Sequence, residues 1–197
     1  MKRLLFSALM LAASLFQAQA QLIALKTDVA ADACLIPNIN AELVLSNRLS
    51  VNTTLQYAYH SFNTNLKSFS VMPELRYWYG GRPMTHLFVG VSTLLGTYQN
   101  PSDNNRIDQK SYRGQMYGGG LTFGYVWSLG NHKRWRMDLH GGLGLIHYSQ
   151  KSRYKSEYDS NGKFLGNAPY TESGTSLLPY KIGLSFAYIL PVEKKKK

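Results

Sequence analysis

Asp138 and His140 stand two residues apart in the alternating run Arg136-Met137-Asp138-Leu139-His140. In an extended strand that spacing puts a carboxylate and an imidazole on one face, roughly 7 Å apart. An acid holds a histidine that way when it orients the ring for a nearby serine. His147 and Ser149 repeat the spacing further along the same stretch, where they would suit an enzyme acting on outer-leaflet lipid. Neither pair has support elsewhere, because the chain contains no Gly-x-Ser-x-Gly and no His-Glu-x-x-His. His140 and His147 fall on opposite strand faces, and His60 and His86 at opposite strand ends, so no metal site is expected. Gly118-Gly119-Gly120 and Gly141-Gly142-Leu143-Gly144 lie inside strands rather than between a strand and a helix, which excludes a phosphate loop. The expectation is a non-enzymatic protein without cofactor, in which Asp138 and His140 share a hydrogen-bond network.

The elements that position these residues alternate with period two along almost the whole chain, the mark of strands with unlike faces. Eight are expected: 23–31, 39–45, 49–59, 69–79, 87–98, 115–127, 135–148 and 180–190. Their connections alternate between tight turns (46–48, 80–86, 128–134) and longer segments (32–38, 60–68, 99–114, 149–179). Most strands approach the 9–11 residues of a tilted membrane strand. Alternating short and long connections are the mark of an up-and-down barrel with periplasmic turns and external loops. The fold class is therefore an all-β, eight-stranded antiparallel up-and-down transmembrane β-barrel over residues 21–190. Pro73 sits mid-strand, where a ladder donor is needed, and calls for a bulge.

One face of each strand is large and apolar, the other small or polar. Leu49, Val51, Leu55 and Tyr57 oppose Ser50, Asn52, Thr54 and Gln56; Tyr117, Leu121, Phe123 and Tyr125 oppose Gly118, Gly120, Thr122 and Gly124; Tyr180, Ile182, Leu184 and Phe186 oppose Lys181, Gly183 and Ser185. A soluble ligand-binding barrel would reverse this arrangement. Aromatic residues gather near strand ends, Tyr98 and Trp127 among them, where membrane interfaces favour them. Parity turns Lys26, Asp28, Glu42, Glu74, Arg76, Arg136, Asp138 and Lys181 inward. Eight strands leave an interior barely wide enough for side chains, so these charges are expected to pair in one plugging ion network. The alternative is a small passive pore.

The chain has 197 residues, one Cys and a net charge of +11. Lys2, Arg3 and Lys194 to Lys197 supply more than half of that charge, which leaves no nucleic-acid footprint. Lys2-Arg3, the apolar run Leu4 to Phe16 and Ala18-Gln19-Ala20 read as a signal peptide over residues 1–20. Residues 191–197 form a basic periplasmic tail. The expected address is the outer membrane of a Gram-negative bacterium. Lys110, Arg113, Lys151, Arg153, Lys155 and Lys163 outnumber Asp103, Asp108, Glu157, Asp159 and Glu172 in the long segments, giving a basic rim suited to outer-membrane lipid or lipopolysaccharide. Loops 99–114 and 149–179 are also the candidates for binding a surface protein partner, and part of the latter is expected to extend its flanking strands as a hairpin above the membrane.

In the last strand Lys181, Gly183, Phe186 and Tyr188 follow the pattern of the C-terminal signal read by the barrel assembly machinery during folding. Further likeness lies in Ala24 to Asp28, Pro37-Asn38, Ala41 to Ser46, Glu74 to Trp78, Gly120 to Tyr125 and Pro179-Tyr180-Lys181. Together these segments resemble a Bacteroidetes outer-membrane β-barrel family of unknown function, often encoded near fimbrillin or other cell-surface genes. The resemblance spans about residues 22 to 190. It implies a surface role without assigning a catalytic residue.

Overall fold

The computed structural model describes residues 22–59, 66–100, 110–130, 134–154, 158, 161–164 and 170–190. The expected signal peptide and basic tail lie outside the described residues, as do His60, Asp103, Asp108, Lys155, Glu157, Asp159 and the side chains of Lys110 and Arg153. Strands β1 (Ile23–Asp28), β2 (Asn38–Val44), β3 (Leu49–Ala58), β4 (Lys67–Trp78), β5 (His86–Asn100), β6 (Lys110–Leu129), β7 (Trp135–Tyr154) and β8 (Tyr170–Leu190) follow in order, with a short helix α1 (Val29–Ala33) after β1. Each strand pairs antiparallel with the next and β8 returns to β1, so the sheet closes into an eight-stranded barrel. Closure leaves no edge along the paired length and turns alternate residues inward.

The boundaries depart from the sequence reading at two places. The first strand, expected to reach residue 31, ends at Asp28, whose carboxylate accepts hydrogen bonds from the amides of Ala30 and Ala31 and starts α1. Asp is a favoured helix cap, and the alanines that follow have high helix propensity. At the other end of the chain, β6, β7 and β8 reach 20, 20 and 21 residues. The hairpin extension expected of segment 149–179 forms, with Ser152 opposite Tyr170, and segment 99–114, read as a loop, is strand at both ends as well, with Asn100 opposite Tyr112. Apart from Leu177, Leu178 and Pro179 at the base of the β8 extension, these stretches carry polar residues on both faces, which weakens the amphipathic signal. The barrel is lopsided in consequence, since β1 meets β8 only over Ile23 to Asp28 whereas β6 and β7 pair along their full length.

Two local readings also change. No bulge forms at Pro73: it lies opposite Thr53, and the β4–β5 register passes from Val71↔Leu95 to Glu74↔Ser92 without a shift. The missing donor is accommodated by a gap in the ladder. The bulge lies instead in β8, where Gly142 faces Lys181 but Leu143 faces Pro179, leaving Tyr180 as the extra residue. Tyr180 was expected on the outer face. The bulge turns it inward beside Lys181, where it packs near Met72, Leu94 and Ile146 and its hydroxyl hydrogen-bonds to Ser92.

The outer wall is a continuous apolar belt. Leu75, Val91, Leu121 and Leu143 form one cross-strand row and Tyr77, Val89 and Phe123 the next. Leu121 is 67% and Ile182 73% exposed. From Tyr117 to Trp127 along β6 the belt spans about 25 Å at the usual tilt of barrel strands. Its turn-side margin carries the aromatic pairs Tyr77–Tyr79, Tyr125–Trp127 and Trp135–Tyr188. Tyr98 departs from the interfacial reading by facing inward at the other end, where its hydroxyl donates to Gln150 at 2.9 Å.

Candidate functional site

The inward residues stack in layers. At the turn end Trp78, Phe88 and Val126 form one fully buried apolar cluster, and Ala24, Met84 and Ile189 another. Toward the opposite end Met72, Leu94 and Ile146 form a second apolar layer, with Met116 and Tyr180 against it. Between these layers lie the charges. Apolar packing on both sides excludes water from the charged middle, so its ions depend on one another.

Arg76 is the hub. Its Nη1 lies 2.7 Å from Asp138 Oδ2 and 3.2 Å from Glu42 Oε2, and its Nη2 lies 3.0 Å from Glu74 Oε2. The guanidinium carbon stands 4.2 Å over the Phe88 ring, a cation–π contact joining the ion layer to the apolar layer beneath. Lys26 pairs with Glu42 and, at 2.9 Å, with Asp138. Lys181 donates to Glu74 Oε2 at 2.6 Å, and Thr122 and Asn52 complete the hydrogen bonds to Glu74 at 2.5 and 3.2 Å. Ser50 donates to Glu42 at 2.5 Å while accepting the Trp78 indole N–H at 2.8 Å.

Asp28 enters through a histidine. His140 Nε2 lies 3.4 Å from Asp28 Oδ2, and its Nδ1 lies 3.4 Å from Asp138 Oδ1. The imidazole thus bridges two carboxylates, and no serine hydroxyl hydrogen-bonds to it among the described residues. Asp28 also accepts the Leu184 amide, tying the foot of α1 to β8. The structure therefore joins seven of the eight expected lumen charges through direct contacts and His140. Arg136 is the exception: it sits at the turn end, where its described hydrogen bonds reach the carbonyl oxygens of Met84 and Trp135. It is two residues before Asp138, and strand rise alone carries it below the ion layer.

Inward parity also holds the members that charge alone did not identify. Trp78 follows Arg76 by two, and Asn52 and Ser50 share the inner face of β3. Of the four residues in the expected assembly pattern, Lys181 and Gly183 face the lumen. Phe186 and Tyr188 face out, Tyr188 packing on Trp135 with ring centroids 5.0 Å apart. His147 faces out, accepts or donates to Thr175 Oγ1 at 2.9 Å and stacks on Tyr117. Glu172, read as a loop carboxylate, turns toward Gln150 and Ser152 at 2.6 and 3.3 Å. Among the described residues no group of three or more His, Cys, Asp or Glu is arranged to hold a metal ion.

The fold and interior define a closed β-barrel whose core is a sealed ion layer. The chain belongs to the family described as protein of unknown function (DUF3575), whose model matches residues 5–190. No curated protein and no solved structure matches it.

Proposed function

We propose that this chain is a non-enzymatic outer-membrane barrel of a Gram-negative bacterium of the Bacteroidetes, exported by residues 1–20. Its long external segments, 99–114 and 149–179, serve surface interaction or envelope integrity, in connection with fimbria or other surface assembly. The apolar belt carries the reading. A water-exposed wall bearing Leu121, Phe123, Leu143 and Ile182 side by side would be a large unprotected apolar patch, and a lipid bilayer is the solvent that suits it. The layered lumen favours a plug over a passive pore, because two apolar strata and an ion network stand in any axial path. The role then falls to the external segments 99–114 and 149–179, parts of which β6, β7 and β8 carry beyond the belt. A lipid-modifying enzyme has less support, since His147 engages Thr175 and Tyr117 rather than Ser149.

The test is co-purification from native outer membranes in mild detergent, comparing the full chain with one in which residues 155–169 are replaced by a tight turn. The expected result is an envelope partner recovered with the full chain and lost with the shortened one. Recovery of no partner with either chain, from an intact barrel, would overturn the recognition role.

A further inference from the structure

Above the apolar belt, one cross-strand row reads Lys67, Gln99, Arg113, Lys151 and Thr171 across β4 to β8. Three of its five members are cations on the outer face. Arg113 and Lys151 are direct cross-strand partners, an arrangement that is destabilising for like charges. Neither side chain makes a hydrogen bond or ion pair among the described residues. Among the described residues no carboxylate opposes them. The described strand carboxylates, Asp28, Glu42, Glu74, Asp138 and Glu172, are all engaged inside the barrel.

The cleft around this pair measures about 530 Å³ and is lined by Thr97, Gln115, Ser149 and Thr171 as well as the two cations. Hydroxyls and an amide beside two cations that have no carboxylate partner among the described residues make a donor-rich surface suited to phosphate oxygens. Two rows below, Leu95, Tyr117 and His147 open the apolar belt, continued by Leu145 and Leu121. A ligand seated here would place its charge at the cations and its chains on the belt. We propose that Arg113 and Lys151 clamp the phosphate of an anionic membrane lipid, its acyl chains lying against Leu95, Tyr117 and Leu145. The reading that the barrel spans a membrane underlies this site, and the site adds the class of lipid held at the outer wall. An arginine fork next to a lysine point charge also fits a phosphate monoester better than a zwitterionic headgroup.

Flotation and lipid retention separate the two claims. The full chain and R113Q/K151Q are refolded into phosphatidylcholine vesicles with or without diphosphorylated lipid A, and the lipid retained after mild detergent extraction is read by native mass spectrometry. Both substitutions fall at exposed strand positions, so both proteins are expected to fold and float. The unsubstituted barrel should retain lipid A roughly thirtyfold more tightly than the variant, with no difference for phosphatidylcholine and no displacement by millimolar inorganic phosphate. Equal lipid A retention by the two proteins would overturn the clamp while leaving the membrane reading intact. Displacement by inorganic phosphate would overturn a lipid as the occupant. Failure of the unsubstituted chain to float with either vesicle would overturn the membrane reading, and the clamp with it.

Discussion

Replacing Arg76 with alanine is expected to cost the folded barrel about 3–5 kcal/mol, as when one partner of a buried ion pair is removed and its counter-charges stay behind. Three carboxylates, those of Glu42, Glu74 and Asp138, lie within 3.2 Å of the guanidinium. Without it they would crowd one another, with Lys26 and Lys181 as the nearby cations. The Phe88 ring would lose its cation as well, and the truncated side chain would leave a void between two rigid layers. A domain's whole stability is of order 5–15 kcal/mol, so much of it depends on this residue. Urea titration in detergent, followed by heat-modifiable mobility on gels, measures the effect. Arg76→Lys is expected to fall between wild type and alanine, since one ammonium cannot reach all three carboxylates in the guanidinium's geometry. Arg113→Ala, on the outer wall, should stay within about 0.5 kcal/mol of wild type. An Arg76→Ala midpoint equal to that of Arg113→Ala would contradict the ion layer's structural role.

The second large effect is expected at Gly120. A methyl there would meet the Leu143 carbonyl oxygen at 2.1 Å and Gly144 Cα at 2.5 Å. Both are backbone atoms of the neighbouring strand, directly across the β6–β7 ladder, so neither can give way without opening paired strands. Gly120→Ala should therefore destabilise by about 1–3 kcal/mol or more, the range of overpacked cores. Gly141→Ala is the internal control. Its added methyl would meet the Phe123 ring at 3.6 Å and the Lys181 carbonyl oxygen at 3.9 Å, both ordinary contacts. That variant should be neutral or slightly stabilising, since alanine in a strand gives up less entropy than glycine. Equal unfolding midpoints for the two would show that the close approach of β6 and β7 is not what the glycines serve.

The contrast between these glycines shows where sequence reading reaches and where it stops. Both lie in runs that period-two parity places within strands, and the structure puts the runs opposite each other, with Gly120 facing Gly144. Parity also found the ion layer, because a closed barrel converts alternation directly into inside and outside. It failed where one residue broke the count. Tyr180, the extra residue of the β8 bulge, reverses the expected face, and a bulge has no signature in alternation until the partner strand is known. Height was legible only over 149–179, where the flanking strands are expected to extend as a hairpin, and not over 99–114. Above Leu177 and its partner Leu145 the upper parts of β6, β7 and β8 carry polar residues on both sides, and their pairing is enforced by the strands beneath rather than by an apolar face. The cation row over β4 to β8 depends on registers across four strand pairs, so no single segment displays it.

In the proposed role the barrel spans a membrane with its β7–β8 connection outside the cell and its β4–β5 turn inside the envelope. Single-cysteine labelling tests it most directly. In a Cys34→Ser background, Asn161→Cys and Arg82→Cys each place a thiol at an exposed position, at opposite ends of the barrel. A membrane-impermeant maleimide applied to intact cells is expected to label the residue-161 thiol, and to reach the residue-82 thiol only after the outer membrane is opened. Equal labelling of both thiols in intact cells, or recovery of the folded protein in the soluble fraction, would contradict the account.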